Sequence, residues 1–500
     1  MKNIKFLKNV FIVTLTLSAF TSCTDLDEKA LDGVIQSGGA SGTVNTAAFL
    51  QTAKNGLREF QAQGQMFAMD EMSGDGLVGP TRGGDWDDNG AWRQLHTHTW
   101  DPLHIEVKNS WNTLLSNVYN CNQVIGNNGT ASEITQARFL RAFYYYHVVD
   151  LFGQAPYRAV GSDPQSDPQV WTRPEATEYC ITELEAILPS LPSRVANDPS
   201  EISKDAAHFL LAKLYLNKAI FDGSGVFNAA DMTKVVQNVD ALTNTLASDY
   251  WDNFSPDNNN SNELIFTSLN TPSSGGNIQS RWRMCSHYKQ TPDGWNGFAT
   301  LSEYYNSYNP NDNRIKNTSP YMINNFGNPA GFQIGQQYAP GGTTALTDRN
   351  GNPLVFTPNV TMITGGNTLE TAGIRGMKYI PDVSNLGTPE NDYVFFRYAD
   401  ALLMKAEAIV RGGSGSIGTI MSDIAARTGQ PASPETLDGI YAERGRELWW
   451  EGWRRNDMIR FGKFLNSREL KSYTSDSKFL LFPIPAGALL NPNLTQNPGY

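Results

Sequence analysis

The sequence predicts a mainly α-helical protein in which helix pairs present a long, irregular region of loops. Two observations lead to this fold class. Apolar residues recur at spacings of three and four between about residues 105 and 250, and the same pattern returns after residue 397. Between about 251 and 392 this periodicity disappears, and Asn, Gly, Pro, Ser and Thr dominate. The helical parts are therefore expected to form a scaffold for the loops.

Helix start signals support five helices before residue 250. Two segments open with a capping box, in which Glu follows Thr by three residues: Thr130 with Glu133, and Thr172 with Glu175. Further helices are expected over about 105–125, from Ser203 and from Asp231. Gly153 stands where a left-handed cap should end the second helix, and Pro189 should end the third.

The loop region is expected to contain only short strands, such as Glu263 to Ser268. Structureless stretches of this length are usually functional, so we interpret this region as a ligand-binding insertion. A helix begins near Arg397, and Ser433 and Pro434 are expected to cap the last long helix after it. Proline fits the start of a helix because the first backbone N–H groups there have no partner within the helix. The predicted organisation is a single domain over 23–500, with the scaffold at about 40–250 and 393–500 and the insertion at about 251–392.

The N-terminal leader predicts export. Three lysines precede an apolar run over 10–20, and Thr21, Ser22 and Cys23 follow in the order of a secretory signal. Eleven apolar residues are too few to span a bilayer, and no later stretch approaches eighteen. Cys23 after two small residues resembles a bacterial lipoprotein cleavage site, so residues 1–22 are the predicted signal peptide and Cys23 is the predicted lipidation site. The alternative is an ordinary cleaved signal with a chance cysteine, since Phe20 stands where Leu is usual.

An acidic run follows the cysteine, from Asp25 to Glu28. In some Gram-negative lipoproteins such a run resembles a signal for export to the outer face, so we expect a lipid-anchored protein of the outer membrane that faces the cell exterior. Removal of three lysines with residues 1–22 takes the formal net charge from -11 to -14. This charge disfavours nucleic acid and anionic membrane surfaces as partners.

The known motifs of catalysis and metal binding are mostly missing from the sequence. No HExxH, Walker A or GxSxG string occurs. With Cys23 lipidated, Cys121, Cys180 and Cys285 remain at wide spacings, which indicates buried thiols rather than disulfides or a metal knuckle. Any of the 50 acidic residues could supply the two carboxylates of a glycosidase, but no pattern points to a pair. We predict no catalytic residues and no cofactor.

Two short patterns resemble metal sites. The segment 85–90 resembles the start of an EF-hand loop, with oxygen ligands at positions 1, 3 and 5 and Gly at 6, but position 12 is His96 rather than Glu. A looser structural calcium site stays open as an alternative. His96, His98 and His104 could ligate zinc, yet no Cys or carboxylate partner is marked by spacing. We interpret them as hydrogen-bonded structural histidines, and we predict no metal.

Aromatic residues in loops provide the strongest signal for binding. These residues form two groups. The first contains four tryptophans in a sequence rich in Gly, Asp, Arg, Thr and His, unlike a buried core segment: Trp86, Trp92, Trp100 and Trp111. The second group lies in the irregular region: Trp282, Tyr288, Trp295, Phe298, Tyr304, Tyr305 and Tyr308. Indole faces stack on the C–H faces of sugar rings, and neighbouring polar groups bind hydroxyls, so the pattern suits a neutral glycan. The alternative is that most of these rings pack beneath loops.

The predicted ligand-binding residues come from both groups. Trp86 and Trp295 are the first candidates for stacking, followed by Trp92 and Trp282 and then Tyr288. The hydroxyl-binding candidates are Arg82, Asp85, Asp87 and Asn296.

Several segments resemble the SusD/RagB family. The most specific is ERGRELWWEGWRRNDMIRFGK over 443–463, although Trp453 stands where His is frequent and Arg455 where an aromatic residue is frequent. The others are FLRAFYYY at 139–146, LFGQAP at 151–156, RYADALLMKAEA at 397–408, FPIP at 482–485 and NPNLTQNPGY at 491–500. Together they span nearly the whole chain after the leader.

The resemblance implies a scaffold of tetratricopeptide-like helix pairs. It also implies a surface lipoprotein that binds an oligosaccharide and delivers it to a SusC-like TonB-dependent outer-membrane transporter, over which it acts as a hinged lid. No catalysis is implied. A peptide-binding member of the same uptake system is the alternative, and a surface glycoside hydrolase is a more remote one.

The most specific segment reads as structure rather than as a binding site. We expect it to form one helix in which Arg444, Glu447, Glu451 and Arg455 repeat every three or four residues, so that opposite charges pair along one face.

Overall fold

Helices dominate the chain from Thr46 to Tyr500, which forms one unit. The computed structural model describes residues 44–163, 166–274, 277–365 and 367–500, without the side chains of Asn277, Asn367 and Thr368. The predicted signal peptide, Cys23 and the acidic run lie outside these residues. Within them, no helix is both long and apolar enough to cross a membrane.

Consecutive helices pack against one another in the N-terminal half. The elements there are α1 (Thr46–Asn55), α2 (Gln65–Glu71), α3 (Ala91–Thr97), α4 (Ile105–Gly126), α5 (Ala131–Phe152), β1 (Gln154–Tyr157), β2 (Gln169–Thr172), α6 (Arg173–Ile187), α7 (Lys204–Phe221) and α8 (Ala229–Asp240). Each helix from α4 to α8 contacts the next one in sequence, and β1 and β2 form an antiparallel hairpin between α5 and α6. The mainly helical prediction is confirmed.

The predicted start signals act as local caps. Thr130 Oγ1 accepts the Glu133 backbone N–H at 3.3 Å, and the Glu133 carboxylate accepts the Thr130 N–H at 2.7 Å. The same two bonds form between Thr172 and Glu175, so both capping boxes are confirmed. Helix α8 begins two residues before the predicted Asp231, because Asn228 Oδ1 accepts the Ala230 N–H at 2.8 Å.

Short strands and helical turns make up the region after α8. They are β3 (Leu264–Ser268), α9 (Ser280–Arg283), α10 (Ser302–Tyr305), β4 (Lys316–Asn317), α11 (Pro320–Phe326), β5 (Ala330–Gln333), β6 (Gly335–Gln336), β7 (Val355–Phe356), β8 (Arg375–Met377) and β9 (Tyr393–Arg397). Strands β4, β5 and β8 form an antiparallel sheet in that order, and β6 pairs with β7. Strand β3 pairs antiparallel with β9, which brings the two ends of the region together.

The C-terminal helices return to the scaffold. They are α12 (Tyr398–Val410), α13 (Ile420–Thr428), α14 (Leu437–Glu447) and α15 (Arg454–Arg460). Helix α12 packs against α7 and α8. The predicted cap at Ser433 and Pro434 is wrong: Thr436 caps α14 by accepting the Gly439 N–H at 3.2 Å, and Ser433 Oγ donates to Glu443 instead.

The segment 443–463 is two helices rather than the single helix we predicted. Between α14 and α15, Trp450 has φ +57° and Gly452 has φ +81°, both in the left-handed region that ends a helix. The Trp450 ring is buried, and its Nε1 donates to Gly76 O at 2.9 Å. Tertiary packing of this indole therefore overrides the local preference for a helix.

The charged residues of this segment also pair differently from the prediction. Arg444 binds Asp400 and Asp457, each at 2.8 Å, and Arg455 reaches Asp150 at 3.4 Å. The expected pairs along one helix face are wrong, because carboxylates from other elements approach these buried guanidinium groups more closely.

Glu447 is the centre of a buried group of ion pairs, which we call the Glu447 network (Glu263, Arg314, Arg397, Arg427 and Glu447). Its carboxylate binds Arg314 at 2.8 Å, Arg397 at 2.6 Å and also Arg427. Arg397 and Arg427 both bind Glu263 as well, at 2.9 and 2.6 Å. Burial alone would raise the pKa of Glu447, but the three guanidinium groups hold it well below its usual range.

We expect Glu447→Gln to lower the free energy of unfolding by about 3–5 kcal/mol, because it leaves three buried guanidinium groups without their shared charge. Urea denaturation measures this loss. Glu178→Gln is the matched control, since its carboxylate is 62% exposed and 3.5 Å from Lys218. That change should cost less than about 1 kcal/mol. Equal losses in the two variants would contradict the central role of Glu447.

A second buried carboxylate makes stability depend on pH. Glu71, at the end of α2, accepts the Gly452 N–H at 2.7 Å, and burial raises its pKa to about 7 although this bond and the charges of Lys378 and Arg454 lower it. Because this pKa exceeds that of the unfolded chain, ionisation of Glu71 destabilises the fold as the pH rises from about 4.5 to 7.

We therefore expect Glu71→Gln, whose amide does not ionise, to gain stability relative to the parent when the pH is raised from 5 to 8. The gain is up to about 3 kcal/mol, measured by urea denaturation at both pH values. An identical difference between variant and parent at pH 5 and pH 8 would contradict the assignment.

Candidate functional site

Two indole rings from distant parts of the sequence lie side by side at the surface. Trp86 follows a tight turn before α3, and Trp295 lies in the loop after α9. Trp86 Nε1 donates to Trp295 O at 2.9 Å, and the ring centroids are 6.5 Å apart with planes tilted by 40°. Both rings are half-buried, so each keeps part of its surface open to solvent. The structure thus brings together the two leading stacking candidates.

The backbone around Trp86 is shaped to present its ring. Trp86 itself has φ +61°, which is unfavourable for a bulky residue and persists only where surrounding contacts hold it. Its ring contacts Phe298 at 4.8 Å and Trp92 at 6.0 Å between centroids. Gly297 lies directly beneath, where a Cβ would be 2.5 Å from Trp86 Cε2. Only glycine at position 297 allows the indole to approach the backbone this closely.

Two predicted platform residues are buried beneath this surface. The Trp282 side chain on α9 is 0% exposed and belongs to the main hydrophobic core. Trp92 on α3 is 6% exposed, packs under Trp86, and donates from Nε1 to Asp88. The prediction that these two rings stack on ligand is corrected, because their helices turn them inward. Trp92 supports the exposed ring instead.

Two predicted hydroxyl-binding residues are buried and bind backbone carbonyl groups of neighbouring loops. Arg82 donates from Nε to Gly297 O at 2.7 Å and from Nη1 to Ala372 O at 3.1 Å. Asn296 donates from Nδ2 to Glu370 O at 3.0 Å and accepts from Arg375. Both side chains are buried, so the prediction that they contact ligand is corrected. They fix the loops that carry the two indole rings.

The polar rim of the surface contains the remaining predicted residues and one that sequence reasoning missed. Tyr288 OH donates to Asp85 Oδ2 at 3.1 Å. The Arg349 guanidinium lies 4.9 Å from the centre of the Tyr288 ring, 3.7 Å from Asp85 Oδ2 and 3.2 Å from Glu370 Oε2. Half of each of the Arg349 and Asp85 side chains is exposed. Both therefore have polar atoms available to a ligand.

Arg349 comes from the tip of a turn at 348–352, where Asp348 Oδ1 accepts the backbone N–H groups of Asn350 and Asn352 at 2.8 and 2.9 Å. Gly351, with φ +85°, completes the turn. The Asn350-Gly351 pair predicts a turn from the sequence, but nothing local to it indicates that its tip reaches Tyr288.

Carboxylates outnumber cations around the surface. Asp87 binds Arg93 at 2.6 Å and is half exposed, and Arg349 is shared between Asp85 and Glu370. Burial raises the pKa of Glu370, but hydrogen bonds from His287 and Arg349 outweigh it and hold the pKa below its usual range. Each of these two arginines is therefore already paired, and the surface favours uncharged hydroxyl donors over anions.

The three histidines of the zinc alternative are held by backbone carbonyls. Their Nε2 atoms lie 2.8–3.0 Å from Glu469 O, Ser73 O and Ala91 O, for His96, His98 and His104 respectively. Burial lowers the pKa of His96 to about 3, in agreement with a neutral ring that donates to the carbonyl. In the part of the chain that the structure describes, no group of three or more His, Cys, Asp or Glu side chains is placed to hold a metal ion. The absence of a cofactor stays a prediction.

Comparison of the sequence with known proteins gives a consistent relationship. The chain is similar to the starch-binding protein SusD of Bacteroides thetaiotaomicron, with 25% identity over 413 residues that cover 74% of this chain and 73% of that protein. A shorter match, 24% identical, covers 33% of this chain and 32% of the SusD-like protein P25 of Formosa agariphila.

Solved structures share the fold. A SusD superfamily protein from Parabacteroides distasonis has a TM-score of 0.69 with 18% identity, covering 91% of this chain and 98% of its own. Surface glycan-binding protein A of Bacteroides thetaiotaomicron, in complex with laminarihexaose, has a TM-score of 0.64 with 20% identity and covers 90% and 98%. This likeness confirms the predicted scaffold of tetratricopeptide-like helix pairs. The model of the SusD family matches residues 237–500, more than half of the chain, and the protein therefore belongs to the SusD family.

Proposed function

We propose that this protein captures a neutral oligosaccharide on the surface formed by Trp86, Trp295 and Tyr288. The observation that carries the proposal is the pair of partly exposed indole rings, 6.5 Å apart and tilted by 40°. Asp85, next to Trp86 in sequence, lies 3.7 Å from the Arg349 guanidinium and adds polar groups beside them. Aromatic faces stack on sugar rings, and the polar groups bind hydroxyls. A shallow platform of this kind allows capture and release, which a transport protein needs.

The named relatives support the same ligand class. One is a starch-binding protein, and one structural neighbour is in complex with laminarihexaose. Both ligands are uncharged. This agrees with the site, where Arg93 and Arg349 are already paired with carboxylates and leave no free charge for an anion. A peptide is the alternative ligand within the same kind of uptake system, and it would also use the aromatic surface.

We propose binding without turnover. A glycosidase needs a carboxylic acid that stays protonated near neutral pH as proton donor. Glu370, the most enclosed carboxylate at the site, has its pKa held below the usual range by His287 and Arg349. It therefore stays ionised and suits hydrogen bonding to sugar hydroxyls better than proton donation.

The cellular setting of the proposal is the outer membrane, with a lipid at Cys23 and the protein facing the cell exterior. The leader, the two small residues before Cys23 and the acidic run after it support this placement. Membership of the SusD family supports delivery of the ligand to a SusC-like TonB-dependent transporter.

We expect Trp86→Ala and Trp295→Ala each to weaken glycan binding about tenfold, because each removes one stacking face. Native gels that contain polysaccharide measure this as reduced retardation of the protein. Phe49→Ala is the control, since this partly buried ring lies on α1 outside the site. Retardation equal to that of the parent in both tryptophan variants would contradict the assignment.

We expect Cys23→Ala to leave folding and glycan binding unchanged while glycan uptake by cells fails, because the protein loses its anchor. Circular dichroism, the same native gels and uptake of a labelled oligosaccharide measure the three properties. Thr24→Ala, one residue later, is the control and should keep uptake. Normal uptake by cells in which the Cys23 variant is freely soluble would contradict the need for an anchor.

A further inference from the structure

A groove separate from the aromatic surface lies between helix α4 and the β1–β2 hairpin. None of the residues named above for the aromatic surface lines it, and its volume is about 450 Å³, in the range of small-ligand pockets. One wall consists of residues one turn apart along α4: Leu115, Val118, Tyr119, Asn122, Gln123 and Gly126. The other wall consists of Pro156 and residues 158–162 of the hairpin.

Tyr119 presents an exposed aromatic ring at the edge of the groove. The side chain is 52% exposed, and its hydroxyl has no hydrogen-bond partner among the described residues. An exposed ring at the edge of a groove offers a stacking surface at little entropic cost, because tyrosine has only two flexible side-chain torsions.

Asn122 presents an amide donor whose orientation is fixed from below. Its Oδ1 accepts from Arg141 Nη1 at 2.7 Å, and Arg141 Nη2 is itself held by Glu183 at 2.7 Å. The oxygen of the amide thus faces the arginine, and Nδ2 is left for the groove. Gln123 repeats this arrangement, since its Oε1 accepts from Asn127 Nδ2 at 3.3 Å and leaves Nε2 as a donor.

Aromatic residues hold the strands of the hairpin in place. Tyr145 OH donates to Pro156 O at 2.9 Å. Tyr157 stacks on Trp171 with centroids 3.8 Å apart and planes within 19°, and Trp171 packs on Tyr179 at 4.4 Å. The groove therefore lies between helix α4 and a hairpin whose strands are fixed by aromatic packing.

Charge is nearly absent from the lining. Arg158 is the one ionic side chain among the lining residues, and its Nη1 already donates to Asp163 O at 2.7 Å and Ser166 Oγ at 3.0 Å. Among the residues that the structure describes, no carboxylate lines the groove. The two oxygens that Arg158 binds are neutral, so one guanidinium charge remains at the hairpin side of the groove. The rest of the lining offers a ligand rich in hydroxyl groups an aromatic ring and amide donors.

We propose that this groove is a second, independent binding site for a neutral oligosaccharide, with Tyr119 stacking on a sugar ring and Asn122 and Gln123 donating to its oxygens. The inference rests on the proposed function for the class of ligand only. Two sites on one protein would let it hold a long polysaccharide at two points and raise its overall affinity without a tighter single site.

The test uses the full-length protein in detergent micelles and isothermal titration with a panel of neutral hexasaccharides that includes maltohexaose and laminarihexaose. Trp86→Ala combined with Trp295→Ala silences the first site. We expect residual binding in this double variant, reduced at least tenfold when Tyr119→Ala is added. Tyr119→Phe keeps the ring and should retain the binding. Asn112→Ala, exposed two turns earlier on α4, is the control for the helix surface.

The outcomes separate the two proposals. If the parent binds members of the panel, the double tryptophan variant binds none, and Tyr119→Ala leaves the parent's binding unchanged, the second site is overturned while the first stands. If the parent binds no member of the panel, the proposed function and the second site fall together. Circular dichroism of each variant identifies any loss of binding that comes from misfolding. If Tyr119→Phe in the double tryptophan variant folds normally but shows no residual binding, the stacking role of Tyr119 is overturned.

Discussion

A carboxylate that stays ionised away from water needs positive charge from the protein, and Glu447 obtains it from three guanidinium groups in three different parts of the chain. Arg314 comes from the loop region, Arg397 from the end of β9, and Arg427 from the end of α13. The Glu447 network therefore connects the loops to the helices through interactions that have no solvent alternative. Displacement of any of these segments would remove a buried ion pair of Glu447, so the network favours one arrangement of the loop region against the scaffold.

Local chemistry made much of the helical scaffold predictable. The capping boxes at Thr130 and Thr172 involve residues three apart, so their bonds depend on nothing beyond the helix start. The break between α14 and α15 was not predictable in this way. The left-handed conformation of Trp450 depends on Gly76, which accepts its indole N–H, and on Gly376, where a Cβ would lie 2.2 Å from its ring. Both partners are far away in sequence, and the local pattern alone favours a continuous helix.

In the candidate site, too, local sequence predicts some features and tertiary packing determines the others. Loop composition identified Trp86 and Trp295, which the structure places side by side, and Tyr288 and Asp85, which are hydrogen-bonded to each other. Trp282 has the same sequence context, but it lies on a short helix that faces the core. Arg349 could not be placed beforehand, because its position depends on where a turn more than 50 residues after Trp295 meets the surface. Residue type and context indicate binding, whereas the inward or outward direction of each side chain depends on tertiary structure.

The antiparallel pairing of β3 with β9 has an evolutionary consequence. Because Leu264 lies opposite Arg397, the chain leaves the helical scaffold and returns to it at nearly the same point. Exposed turns between such ends tolerate insertion, deletion and exchange, because they carry none of the buried contacts that fix the rest of the region to the scaffold. These turns can therefore change in length and sequence while the helical scaffold keeps its packing.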